Sequence, residues 1–387
     1  MLVSVLMSIL LLRCRTAYVG LFVIFAIYLF TYYMPKKIEG KLSLMAGCSM
    51  IAIILSVGLY HFKQSSSEGR LLIWKITSRM IRENPIGYGY GLFEKNYNLH
   101  QAVYFKSGQG NMKEKQTATA VYMPYNDVLE QSVEGGVVGA LFYLLFFAIT
   151  LKTSYRQKDP EAFSICLSLL VMSMVNFIYT AIPVWFLLMF VAGNIISTKR
   201  ETPKRDCRRL VTVMLAVFSI LLCFRELKAI WAQLQLAQWH ELIGKGHVIE
   251  YGYMDRLQPI IETSECYYTD LGKNQMQMHQ YDSAATSFST ALEYTSSPRV
   301  FYLLSQCYLV LGDKQGFLHC MTTAENILPH HFWPRVLLMR YYSSHNQKRE
   351  AVHYAHEIIN MPAKVPSNDV AGFKSEAQKQ ILSYEKK

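Results

Sequence analysis

The stretch YNDVLEQSVEGGVVGALFYLLFFAITL, Tyr125–Leu151, decides the fold. Its second half, Gly136–Leu151, carries no charged residue. A bilayer core about 30 Å thick asks for roughly 20 such residues in a helix. Its first half puts Asn126, Glu130 and Glu134 at i, i+4 and i+8, on one helix face. A polar helix face therefore runs straight into an apolar helix at a membrane boundary. Polar groups in that position are either a solvated cap or a site.

Working outward, Thr16–Met34 and Leu42–Tyr60 are apolar and long enough to span. Ala162–Thr198 is too long for one helix, and Asn176 and Pro183 near its middle predict two helices with a tight turn. Leu210–Phe224, between Arg209 and Arg225, reads as a last short span whose flanking arginines reach the interface. Met1–Leu12 is apolar without a basic n-region, so it fits a signal peptide poorly and reads as the end of a helix whose partners are missing. Of the 387 residues 51% are hydrophobic and only 17% charged, and the apolar excess is concentrated before Thr198. A single soluble domain, a disordered chain and a collagen-like chain are excluded.

The net charge of +11 belongs mainly to topology signals and anionic lipid ligands, and no nucleic-acid partner is expected. Placing Lys36, Lys37 and Lys41, then Lys152, Arg156 and Lys158, then Lys199, Arg200, Lys204, Arg205, Arg208 and Arg209 in the cytoplasm satisfies the positive-inside rule. Arg13–Arg15, the loop from about His61 to Gly135, the turn near Tyr179–Pro183 and the C-terminal tail then lie outside.

The eight cysteines form no C-x-x-C pair. A disulfide among Cys266, Cys307 and Cys320 is one alternative in the tail. No metal site and no cofactor are expected.

The outer loop is basic: between His61 and Asn126, nine Lys and Arg stand against Glu68, Glu83, Glu94 and Glu114. It is either a solvated loop or an anion site, because Arg pairs bidentately with phosphate oxygens. Leu71, Leu72, Trp74, Ile76, Met80 and Ile81 among Arg70, Lys75, Arg79 and Arg82 predict an interfacial helix stopped by Asn84-Pro85. Gly87, Gly89 and Gly91 in GYGYG shape the loop that follows, with the wrong spacing for a dinucleotide fingerprint.

Taken together, Arg15 in CRTAYVG, Arg70 in SEGRLLIWK, NPIGYGYGLFEKNY and YNDVLEQSVEGGVVG resemble, in order, the motifs of the O-antigen ligase / O-antigen polymerase family of membrane glycosyltransferases. The resemblance covers roughly residues 1–200. It implies an all-helical, metal-independent enzyme of the bacterial inner membrane. Such an enzyme takes a glycan from an undecaprenyl-diphosphate carrier at the periplasmic face, and hands it to lipid A-core or a growing glycan. Arg15 and Arg70 would bind the carrier diphosphate, and Tyr125, Asn126 and Glu134 would form the catalytic segment. Tyr125 stands where the family has its catalytic His. A phenol, with a reference pKa of about 10, is a poor general base near neutrality, which leaves His100 and Asp127 as substitutes. The family usually has about twice as many spans, so the chain is expected to be a truncated reading frame or a shortened relative.

The tail carries a second pattern. Tyr268, Leu271, Gly272, Tyr281, Ala284, Phe288, Ala291 and Leu292 follow the small-and-large alternation of tetratricopeptide repeats. Phe301, Leu304, Tyr308, Gly312, Asp313, Phe317, Ala324 and Pro329 repeat it, with Ala284 to Phe317 and Ala291 to Ala324 both 33 apart. A degenerate third copy has Leu338, Tyr342, Ala351, Ala355, Ile358 and Pro362. His319, His330, His331, His353 and His356 read as surface or packing residues, and Ala371–Lys387 as a charged amphipathic or frayed helix.

The expected fold is all-α, a polytopic helical membrane bundle followed by a soluble TPR-like α-solenoid. The expected domains are a transmembrane domain at 1–224 with its outer loop at about 61–135, a helical connector at 225–263, repeats at 264–363 and a tail at 364–387. The repeats bind a protein partner or act as a spacer. The alternative function is a non-catalytic membrane-anchored repeat scaffold for envelope polysaccharide assembly.

Overall fold

The computed structural model describes residues 15–33, 64–197, 205–250 and 265–385, with isolated positions 47, 50, 252, 254, 256, 257 and 260. The expected span at 42–60 lies outside the described residues apart from 47 and 50, as do the N-terminal apolar run and the basic residues at 36, 37, 41, 199, 200 and 204. Every described element is an α-helix. The chain divides into two compact units, one of residues 1–93 and 122–205, the other of 94–121 and 206–387.

The first unit holds α1 (Arg15–Tyr32), α2 (Gln64–Glu83), α5 (Asp127–Glu134), α6 (Gly136–Gln157), α7 (Pro160–Ser173) and α8 (Ile182–Ser197). Local chemistry sets these boundaries. Lys158 closes α6 in the left-handed region, Asp159 accepts the Ala162 N–H at 3.0 Å, and Pro160 opens α7 where no N–H is needed. The break between α7 and α8 falls at 174–181; Asn176 lies in it and Pro183 sits in the first turn of α8.

One stripe of α6, Ala140, Phe147, Thr150 and Ser154, is buried. Phe147 joins Cys166 and Leu169 of α7 and Leu188, Val191 and Ile195 of α8 in the core. The opposite stripe, Val138, Leu141, Phe142, Leu145 and Ile149, is exposed and wholly apolar. Among the described residues α6 is the one helix long and apolar enough to cross a membrane, while Thr16–Tyr32, Pro160–Ser173 and Ile182–Ile195 are shorter apolar helices. Helix α1 packs on α7, where Gly20 leaves room for Met172 and its carbonyl accepts from the Ser168 hydroxyl at 3.3 Å.

Helix α2 corrects an expectation. Its apolar face, Leu72, Ile73, Ile76 and Met80, is buried inside the protein rather than laid in the membrane interface. It packs on α5.

The second unit begins with the outer loop. Helices α3 (Phe93–Lys106) and α4 (Met112–Thr117) are joined in it by α9 (Arg205–Gly244), α10 (Glu265–Gln277), α11 (Tyr281–Ala291), α12 (Pro298–Leu311), α13 (Lys314–Ile327), α14 (Phe332–Ser344), α15 (Lys348–Asn360) and α16 (Asn368–Glu385). From α10 to α15 each helix packs on the next, and α16 closes on α14 and α15. Gly312 (φ +76°) ends α12, and Asp313 caps α13 by accepting the Gly316 N–H at 3.0 Å.

Ala102 of α3 enters the core formed by Ala284, Phe288, Ala291, Phe301, Leu304 and Ala324. Gln101 Nε2 donates to the Ile327 carbonyl at 2.7 Å, and the Glu94 carboxylate accepts from the Thr295 hydroxyl at 2.9 Å. Helix α9 is continuous for 40 residues, so the expected span at 210–224 and the expected connector as far as Gly244 form one element. Its face Ala232, Leu236, Trp239 and Ile243 packs with Met254, Leu257 and Tyr267. Cys266, Cys307 and Cys320 are free, which removes the disulfide alternative among them.

Gly272 gives this unit a sharp test. A Cβ there would lie 2.6 Å from the Phe288 ring, a side chain with no exposure. Gly272→Val is expected to lower the stability of the full chain by about 1–3 kcal/mol, the usual cost of overpacking a filled core. Thermal unfolding in detergent reads the effect, and an unchanged midpoint would show that α10 and α11 do not meet there.

Candidate functional site

The first unit gathers its polar groups around the N-terminal end of α5. Asn126 is extended (φ −161°, ψ 108°) and caps the helix, its Oδ1 accepting the Leu129 N–H at 3.0 Å. Its Nδ2 donates to the Met174 carbonyl at 2.9 Å in the α7–α8 break. Tyr125, just before the cap, sits at φ +54°, a costly region for a bulky residue. Its ring meets Phe177 at 5.6 Å and lies under the Arg70 guanidinium, 4.8 Å from the ring centroid. Arg70 Nη1 donates to the Val175 carbonyl at 2.6 Å. Two consecutive carbonyls of one break thus hold Asn126 and Arg70.

The same break reaches α1. Asn176 Nδ2 donates to the Thr16 hydroxyl at 3.1 Å. Arg15, the neighbour of Thr16, is the first residue of α1, and its side chain lies outside the described residues. Trp74 Nε1 donates to the Pro124 carbonyl at 2.9 Å, fixing the approach to Tyr125 from the α2 side.

Glu134 sits at the far end of α5, about 12 Å along the axis from Asn126. It is buried, and Oε1 accepts the N–H groups of Gly91 at 2.9 Å and Phe93 at 3.4 Å. Gly87, Gly89 and Gly91 all have positive φ. Their loop lies on the α5–α6 junction: Tyr88 N–H donates to the Val133 carbonyl at 2.8 Å, and Gly89 N–H to the Glu134 carbonyl at 3.0 Å. The Tyr90 hydroxyl donates to Gln131 Oε1 at 3.1 Å. At Gly136 (φ +67°) the chain turns from α5 into α6 directly against the Ile86 carbonyl.

Between these ends lie two carboxyls that the spacing alone did not single out as buried. Asp127 has no exposed surface, and its Oδ2 accepts the N–H groups of Ile178 and Tyr179, both at 3.1 Å, and the Tyr143 hydroxyl at 3.3 Å. Burial raises its pKa to about 6 against the pull of those donors. Glu130 is 6% exposed, and burial, then Glu134 and Asp127, raise its pKa to about 8. Burial also raises Glu134, opposed by its two N–H donors.

Of the residues expected from sequence, Arg70, Tyr125 and Asn126 meet around the α7–α8 break, while Glu134 and the three glycines form a separate contact at the α5–α6 junction. His100, offered as a substitute base, is on α3 in the second unit, its Nδ1 2.7 Å from the Asn96 carbonyl. The carbonyls of 174 and 175 escaped the sequence reading, because backbone groups carry no sequence signal. The one available hint was the unpaired-looking Asn176 inside an apolar stretch.

A family model described as O-antigen ligase matches residues 1–144. The match takes in α1 to α5 with the glycine loop and the start of α6, and it supports the glycan-ligation resemblance over that stretch. No curated protein matches the chain.

Proposed function

We propose that the chain transfers or polymerises a glycan from an undecaprenyl-diphosphate carrier at the periplasmic face of the bacterial inner membrane. Supporting this reading is one observation above the rest: a guanidinium, Arg70, is held over Tyr125 beside the capped end of α5, within the stretch that the ligase family matches. In the reaction an acceptor hydroxyl attacks the sugar carbon, the bond to the diphosphate breaks, and the carrier leaves as a pyrophosphate. Arg70, with Arg15 at the start of α1, neutralises that leaving charge. Asn126 fixes the break that orients Arg70, and Glu134 seats the glycine loop. The step needs no metal or cofactor. Lipid A-core or a growing glycan is the acceptor.

Helices α10–α15 act as TPR-like repeats on the periplasmic side, open to a protein partner, and α9 carries the last span in its first half. Val213, Met214, Val217, Phe218, Leu221 and Phe224 of that half are exposed and apolar, as a lipid-facing segment requires.

The test is Arg70→Ala in a strain without another copy, with surface polysaccharide as the readout. Loss of polysaccharide at an unchanged membrane level of the protein is expected, and Arg70→Lys should restore it only in part, since a lysine cannot pair bidentately. Full polysaccharide in Arg70→Ala would overturn the reading. Tyr125 at the family's histidine position favours the second reading, a membrane-anchored scaffold for envelope polysaccharide assembly.

A further inference from the structure

We propose that the cleft between α1 and α6 holds one acidic phospholipid from the leaflet remote from the candidate site. Its phosphate lies against Arg156 and Lys158, and an acyl chain runs along α1. The site is independent of the transfer chemistry proposed above; it needs only that α6 crosses the membrane, as its length and composition allow.

Three observations carry it. The first is a gap in the packing. Helix α7 packs closely on both α1 and α6, and no such packing joins α1 to α6. Near the C-terminal ends of α1 and α6 the space between them opens into a cavity of about 970 Å³. Helix α1 separates this cavity from the candidate site. Thr16 is bonded to Asn176 of the α7–α8 break, whereas Tyr32 lines the cavity, roughly 24 Å further along the helix axis.

The second observation is the wall, which is apolar. Ile27 and Phe30 come from α1 and Phe163 from α7, and the Tyr155 ring of α6 meets Phe163 at 6.3 Å. The third is the mouth, which is cationic. Arg156 and Lys158 both stand there, exposed. The carboxylate beside them, Asp159, already accepts the Ala162 N–H through Oδ1 at 3.0 Å. Helix α7 begins at the same place, and the positive end of its dipole adds to the field.

An apolar groove with charge only at its mouth is complementary to a hydrocarbon chain that ends in an anion. Basic pockets between membrane helices on the cytoplasmic side bind anionic headgroups in this way. The positive-inside pattern assigns Lys152, Arg156 and Lys158 to that side. Tyr32 and Tyr155, 61% and 75% exposed, flank the mouth as tyrosines do at a membrane–water interface. A zwitterionic lipid offers the same chain without the net charge. Seated there, the acidic lipid fills the gap beside α7 and fastens the end of α1 that the Thr16–Asn176 contact does not reach.

The experiment titrates phosphatidylglycerol, or phosphatidylcholine with the same acyl chains, into the full chain in detergent. Native mass spectrometry counts the lipid retained. One phosphatidylglycerol should be held at concentrations that leave phosphatidylcholine unbound. Arg156→Gln combined with Lys158→Asn should weaken it by roughly thirtyfold, about fivefold for each cation at an anionic surface. Asparagine is chosen because Lys158 has φ +57°, a conformation asparagine tolerates. Thr31→Trp, which fills the mouth without removing a charge, should displace the lipid as well. Lys152→Gln, at the same end of α6 but outside the cleft, should leave the affinity unchanged. Lipid-free unfolding midpoints equal to wild type show that the variants fold; should the double variant melt early, Thr31→Trp and Lys152→Gln still decide. Equal retention of the two lipids would overturn the proposal, and so would wild-type affinity in a folded double variant or in Thr31→Trp. A loss in Lys152→Gln as large as in the double variant would reduce the binding to surface charge and overturn it too. Displacement of the lipid by inorganic phosphate at equal concentration would make this a free-phosphate site instead.

Discussion

Gly87→Ala is expected to unseat the glycine-rich loop and to abolish the glycan transfer proposed above. Gly87 has φ +99°, and a Cβ there would stand 2.5 Å from both the Glu134 carbonyl oxygen and the Gly136 nitrogen. Both obstacles are backbone, so neither can rotate away. The strained backbone costs about 1–3 kcal/mol, and the clash a similar amount again. The loop would leave α5, taking with it the N–H donors that satisfy Glu134 and the Val133 and Glu134 carbonyls. Gly91→Ala is the matched control. Gly91 has φ +80° but a Cβ there meets nothing within 4 Å, so only the backbone term remains. Thermal unfolding of the two variants in detergent should separate them by several degrees, with surface polysaccharide lost in Gly87→Ala alone. Equal midpoints would mean that the loop does not rest on the α5–α6 junction.

Glu130→Gln is expected to stabilise the protein in alkaline solution and to flatten its pH dependence. The folded chain raises Glu130 from the ordinary 4.5 to about 8, chiefly by burial. A carboxyl raised on folding binds its proton more tightly in the native state. The stability it supports is therefore complete below about pH 4.5 and declines as pH rises toward 8. Asp127, raised from 3.8 to about 6, acts in the same direction over a lower window. The Glu130 contribution is at most about 5 kcal/mol at full ionisation, the rise from 4.5 to about 8 taken whole. The glutamine variant should match wild type below about pH 4.5, exceed it increasingly as pH rises toward 8, and keep that margin above it. Unfolding midpoints across pH 5 to 9 check the sign, and parallel curves for the two proteins would refute the burial of Glu130.

Particular residues show how far the sequence could be read. The α5 face was legible because i, i+4, i+8 spacing is a helical property independent of packing. The break in 162–198 was legible from Asn176 and Pro183, whereas Asn126 as the N-cap of α5 came only from its bond to the Leu129 N–H. The apolar face of α2 was visible as a pattern, yet its burial by protein instead of lipid was not, since both environments select the same side chains. Asp127 read from sequence as a substitute base; that it is wholly buried and accepts the Ile178 and Tyr179 N–H groups of the α7–α8 break was not legible, because both depend on packing between elements. The membership of 94–121 was invisible for another reason. Basic residues such as Lys95 and Lys106 gave that segment the look of a solvated loop, while Gln101 and Ala102 were already fitted to a core more than 180 residues away.

That last fit governs the order of assembly. The bond from Gln101 to Ile327 spans 226 residues of chain. Contacts of such separation form late, after the entropy of a very large loop has been surrendered. A ribosome delivers residues 94–121 long before α11 to α13 exist, so that segment must wait, with the apolar side of Leu99 and Ala102 uncovered, until the C-terminal third has been synthesised. Chains cut short within the tail leave the same surface permanently open to proteases and to aggregation. Nascent or truncated molecules therefore carry an uncovered apolar surface encoded in the first third of the gene.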